Sequence, residues 1–240
     1  MITTEERWAA ARALVNAEPR DGRTSGTVGW LHRACRAAVR ALPATGAGIS
    51  VMTTDGVHGV AASSDLGTDR LEELQITLGE GPCIDAFATR RPVLVPDLAA
   101  GPWPGYCAAA LEHGAQAVFA FPLQIGAARL GVMDVYRRVP GMLSAAAINQ
   151  AVTFTEVTVE TLLDGQEHAP DGHAEVTLDR ALDSQFLVYQ AQGMAMIDLG
   201  ISLADAMARL RAYAYVHDRT LHDVARDIVA GHLRLEPDPP

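Results

Sequence analysis

The sequence predicts an α+β chain: an N-terminal domain built on an antiparallel sheet with flanking helices, then a small all-α domain of three helices. Three observations predict it. Between Gly48 and Tyr136, β-rich runs are joined by tight turns at Asp55-Gly56 and Gly126-Ala127-Ala128-Arg129. From Ser144 to Leu162 the apolar positions change to three- and four-residue steps. Beyond Leu182 three more such stretches follow, broken only at Gly200 and at Asp218-Arg219-Thr220. The expected division is 1–26 N-terminal helix and loop, 27–164 sheet domain, 165–175 linker and 176–235 helical domain.

Each element has a local reason. Trp8, Ala11 and Val15 mark an early helix. Val28, Leu31, Cys35, Ala38 and Leu42 trace one face of a second, which Pro43 ends. Gly48–Thr54 and Val57–Ser64 read as a hairpin, and Arg70–Leu78 as helix. In Leu78-Gly79-Glu80-Gly81-Pro82-Cys83 the proline stands near a helix start. Pro92–Leu98 is a short strand, and Val118–Ile125 pairs with Leu130–Tyr136. Ser144 caps a helix in which Ile148, Val152, Thr155, Val159 and Leu162 keep a 3.5-residue period. A paired-helix seam requires that period, although a helix lying on its own sheet also shows it over so short a span. Gly165–His173 is polar and rich in breakers, a flexible linker.

In the last third, Leu182, Phe186, Tyr189, Gly193 and Met196 form one apolar stripe, with Gly193 set for close approach of a neighbouring helix. Leu187, Met194 and Ile201 make a second line on the far side, which suggests a further partner such as a second subunit. Gly200 stops this helix and Ser202 caps the next, whose facing stripe is Leu203, Met207, Leu210 and Ala214 with Arg211 on its flank. Leu221, Val224, Ala225, Ile228 and Val229 give a third helix closed by Gly231; the tail Glu236–Pro240 is expected to be disordered.

Composition narrows the function. The 240 residues are 49% hydrophobic and carry a net charge of −10, and every one of the 19 basic residues is Arg. No apolar run approaches the roughly 20 residues that span a bilayer. The stretch from Thr3 to Val15 is too charged for a signal peptide, so a cytoplasmic protein is expected. Cys35, Cys83 and Cys107 are odd in number and widely spaced, which argues against a disulfide framework and against zinc. With no Ser/His/Asp set, phosphate loop or metal cluster, neither catalysis nor a cofactor is expected.

Two family resemblances sharpen this. Gln190-Ala191-Gln192-Gly193-Met194, with Met196, then Ala206, Leu210, Arg211 and Ala214, then Val224 and Ala225, resemble the ANTAR domain, a three-helix module that binds hairpin RNA in transcription antiterminators. One position departs: Gln192 stands where the family usually carries Lys. The Leu-Gly-Glu-Gly-Pro-Cys turn, the Val93–Leu98 strand and the Leu130–Tyr136 strand resemble bacterial (actinobacterial-type) GAF domains coupled to such outputs. The resemblance implies a cytoplasmic, homodimeric GAF–ANTAR regulator with an unidentified small-molecule ligand and an RNA hairpin partner, and neither DNA nor membrane. It implies RNA contacts around Ala191, Gln192, Gly193 and Arg211, next to Gln190; apart from the resemblance, Arg209, Arg211 and Arg219 are expected to form a local basic patch on one side of an otherwise acidic bundle. On the sensor side it puts Cys83, Trp103 and Tyr106 near a ligand pocket, each with a plain alternative: Cys83 as a small buried hydrophobe, the two aromatics as a loop packing on itself. The Asn-Lys-Phe-Asp-Glu set of cyclic-nucleotide-binding GAF domains is absent, and His58 and His113, the nearest haem-ligand candidates, read as solvated. Two other functions compete: a ligand-responsive dimer acting through protein contacts, favoured by Gln192 and the acidic balance, and a methionine sulfoxide reductase using Cys83 and Cys107.

Overall fold

The computed structural model describes residues 3–20, 26–52, 58–167 and 175–236. The first helix, α1 (Thr4–Ala17), starts in a capping box: Thr3 Oγ1 accepts from the Glu6 amide and the Glu6 carboxylate accepts from the Thr3 amide. Its buried Ala11 and Val15 join the core between α2 (Gly26–Ala41) and α6 (Ala145–Glu167). Trp8 Nε1 donates to Glu156 at 2.7 Å and Arg12 pairs with Glu160, fixing α1 along α6.

Five strands, β1 (Gly46–Met52), β2 (His58–Ser63), β3 (Val93–Val95), β4 (Ala117–Ile125) and β5 (Ala128–Arg137), form an antiparallel sheet in the order β2-β1-β5-β4-β3. The two-residue period of a strand sorts the sheet into unlike faces. Ala47, Ile49, Val51, Phe119, Phe121, Leu123, Met133 and Val135 meet α1, α2 and α6 in one apolar core. The opposite face carries Gly46, Gly48, Ser50, Asp134 and Tyr136, and is covered by α3 (Leu66–Leu78), α4 (Pro82–Thr89) and α5 (Pro104–Glu112).

The 3.5-residue period in α6 belongs to packing within the chain. Thr155 and Val159, expected on a seam between subunits, are buried, and Ile148, Val152 and Leu162 pack against the same apolar core. The helix also runs to Glu167, so Gly165, Gln166 and Glu167 are helical where a linker was expected. The rest of that expected linker, the Asp55-Gly56 turn and residues 237–240 of the tail lie outside the described residues, as do the side chains of His58 and Leu182.

The C-terminal bundle is α7 (Glu175–Leu199), α8 (Leu203–Val216) and α9 (Leu221–Val229), with Ser202 and Thr220 as caps. Its core is made of small and branched residues: Ala191, Ala195, Ala206, Leu210, Ala214, Val224, Ala225 and Ile228. Of the stripe assigned to that core from the sequence, Met196 packs against it, but the middle of the stripe faces out. Phe186 is 75% exposed and Tyr189 40%, and a Cβ on Gly193 would meet nothing within 4 Å. The inner line is instead Leu187, Ala191, Met194 and Ala195, because α8 and α9 come close enough to require alanine.

Candidate functional site

The polar face of the sheet holds a closed network. Gly48 of β1 leaves space that the Glu72 side chain of α3 fills; a Cβ there would overlap its carboxyl. Glu72 accepts from Ser50 Oγ at 2.6 Å and from the Tyr136 hydroxyl at 2.8 Å. One helical turn on, Gln75 Nε2 donates to Asp134 Oδ2 at 2.7 Å and to the Tyr136 hydroxyl at 3.0 Å, while its carbonyl accepts from the Cys83 amide at 2.8 Å. Glu72, Gln75 and Asp134 are fully buried.

Two carboxyls in such a place do not both ionise. Burial first, and then Glu72 beside it, pushes Asp134 well up from the usual carboxylate range; burial raises Glu72 as well, against the hydrogen bonds from Ser50 and Tyr136 that favour its charge. We read Asp134 as the protonated partner, its Oδ1 having no other hydrogen-bond partner and facing an acceptor in Glu72. The result is a proton-holding centre under α3, α4 and α5, its two carboxyls sharing one proton and one negative charge.

Cys83, Trp103 and Tyr106 border this centre. Cys83 and Tyr106 are buried, with both groups pushed well up by burial and by the Asp134 and Glu72 carboxyls. Trp103 and Tyr106 meet edge to face, ring centres 6.5 Å apart, in a cluster with Leu71, Leu98 and Tyr136. Both rings are thus packed into the cover of the sheet. Cys35, Cys83 and Cys107 are all free and buried, and burial raises each thiol, so none is an activated nucleophile. That removes the chemical basis for a reductase using Cys83 and Cys107. His113 is exposed, its ring nitrogen on the Ala109 carbonyl. Among the described residues no group of three His, Cys, Asp or Glu side chains is placed to hold a metal ion.

In the helical bundle the residues singled out for RNA divide. Gln190 is exposed, Gly193 is open, and Arg209 lies half-buried on α8. Ala191 is in the core and offers no surface. Gln192 Nε2 donates to the Leu203 carbonyl at 2.7 Å, tying α7 to the start of α8. Arg219 is committed to α9 through Asp227 at 2.6 Å and the Asp223 carbonyl at 3.1 Å. Arg211 packs on the N-terminal domain at Gly79. Two of the three arginines expected to form a basic patch, Arg211 and Arg219, are thus engaged within the chain.

The family model for the GAF domain matches residues 30–160, more than half of the chain. The chain belongs to the GAF domain family. A second family model, the ANTAR domain, matches residues 177–229, so the GAF domain is followed by an ANTAR domain. A GAF domain from a Coxiella burnetii phosphoenolpyruvate-protein phosphotransferase is 16% identical with a TM-score of 0.51, covering 68% of this chain and 95% of that one. A free methionine-R-sulfoxide reductase from Neisseria meningitidis is 15% identical with a TM-score of 0.51, covering 69% and 92%. At such identities these likenesses concern the fold alone. No curated protein matches the sequence. A GAF domain joined to an ANTAR domain is the architecture of a regulatory protein, and no described helix is long and apolar enough to cross a membrane.

Proposed function

We propose that this chain is a signal-responsive regulator in which the GAF domain senses a small molecule and controls hairpin-RNA binding by the ANTAR domain, releasing transcription from a terminator. The observation that carries the reading is the ANTAR match at 177–229 directly behind a complete GAF sheet. The polar centre at Glu72, Gln75 and Asp134, bordered by Cys83, Trp103 and Tyr106, is the place for the ligand, and the cytoplasm the place of work. The exposed stripe Phe186, Tyr189 and Ile197 on α7 supports a homodimer paired through that helix, in place of the α6 seam.

For RNA the bundle relies on few charges, since residues 176–240 hold six Arg against nine Asp and Glu. Arg211 suits the task because a guanidinium grips phosphate bidentately and stacks on unpaired bases. Titration with paired leader hairpins at two salt concentrations tests it. Arg211→Ala weakens binding by about 1–3 kcal/mol. Gln192→Lys strengthens binding and steepens the salt slope by about one unit. If neither wild type nor Gln192→Lys binds any hairpin, the reading gives way to a dimer acting through protein contacts.

A further inference from the structure

We infer that α3 of the GAF domain holds Arg211 of the ANTAR domain out of use, so that the sensor and an RNA hairpin compete for one guanidinium. This rests on the RNA-binding reading of Arg211 and adds the means of its control. Gly79, at φ 69°, ends α3 in the left-handed conformation. The Arg211 guanidinium, carried by α8, lies so close over it that a Cβ on residue 79 would overlap it. The end of a helix, with its unpaired carbonyls, is where a cation is favoured. The fit needs a glycine for space as well as for backbone conformation.

The hold is weak by construction. Among the described residues Arg211 makes no hydrogen bond or ion pair, and its Nε is buried without a partner. Burial lowers its pKa, which is the mark of a charge that has given up water for little in return. A phosphate would supply the two parallel acceptors that α3 does not. The same helix carries Glu72 and Gln75 into the polar centre, so a change in that centre reaches Arg211 along one rigid element.

The test uses the full-length protein and phenylglyoxal, which modifies exposed arginines, read peptide by peptide by mass spectrometry, alongside hairpin titration. Gly79→Asn keeps a residue tolerant of the left-handed backbone while placing a Cβ under the guanidinium. We expect Arg211 labelling and RNA affinity both to rise, the affinity by about tenfold, within the range of couplings between sites. Gly114→Asn is the control: it has the same backbone sign, at φ 83°, and open space around its Cβ, so it moves neither readout. Should Gly79→Asn fail to fold, the wild type still decides: Arg211 should be labelled more slowly than the exposed Arg91, and labelling at the same rate overturns the docking. Arg211 labelled as fast in the wild type as in Gly79→Asn, with RNA still bound, overturns the docking. Arg211 protected and then released by Gly79→Asn, with no hairpin bound by any variant, overturns the RNA reading and the competition with it, while leaving the contact.

Discussion

Replacing Asp134 by Asn probes the shared proton beneath the sheet. Asn keeps the shape, accepts from Gln75 where Asp134 Oδ2 now does, and offers a permanent N–H to Glu72. The folded wild type holds a proton on Asp134 that an unfolded chain, with an ordinary Asp pKa near 3.9, has released at neutrality. A carboxyl raised in the folded state gives stability that is fully present in acid and is lost as the pH climbs above the unfolded value. The loss is about 1.4 kcal/mol per pH unit for one proton. As the pH rises from 5 the wild type should therefore lose stability relative to Asp134→Asn, which needs no proton, with a slope of up to that size for as long as Asp134 keeps its proton. Urea unfolding followed by circular dichroism at pH 5, 6 and 7 measures it. Asp134→Ala, which leaves Gln75 with one of its two acceptors, should be destabilised by about 1–3 kcal/mol beneath any slope. Parallel stability curves for wild type and Asp134→Asn would refute the shared proton.

Two further outcomes follow from the packing. Light scattering should give a dimer near twice 25.5 kDa, and Phe186→Glu with Ile197→Glu on the exposed face of α7 should give monomers, whereas a wild-type monomer at tens of micromolar sinks the pairing. Native alkylation of Cys35 and Cys83 should be slow, because both thiols are buried and raised, and Cys35→Ala should cost about 1 kcal/mol in thermal or urea unfolding; rapid selective alkylation of Cys83 would show that its cover opens readily.

Much of the architecture was legible because each element carries its own local instruction. The strands alternate, Ser202 and Thr220 cap by side-chain oxygen, and Gly79, Gly200 and Gly231 end helices in the left-handed conformation. The inner face of α7 was not legible. That helix is apolar on two sides, and bulk is a poor guide where neighbours approach closely: Ala191 and Ala195 went in while Phe186 stayed out. The same ambiguity of period made α6 resemble a seam. The polar centre had one visible sign, Asp134 set between Met133 and Val135 in an otherwise apolar strand. Its partners Glu72 and Gln75 look like the solvated side of a surface helix, and only the glycines against them, Gly48 in β1 and Gly81 in the turn after α3, show that they turn inward. Arg211 on the sensor was beyond any local signal, because it depends on how two domains meet.

The turn Leu78–Cys83 has consequences for how this face of the molecule opens. Within six residues Gly79 ends α3, Glu80 accepts from the Tyr106 amide at 2.9 Å in the first turn of α5, Pro82 begins α4, and the Cys83 amide closes on Gln75. Three helices are thus spliced at one point, and none has a private hinge. In hydrogen exchange the amides of Gly79, Cys83 and Tyr106 should behave as a single opening unit with a common rate. On the ligand-binding reading proposed above, a molecule entering beneath them must lift all three helices together, because no one of them is joined to the turn independently of the others.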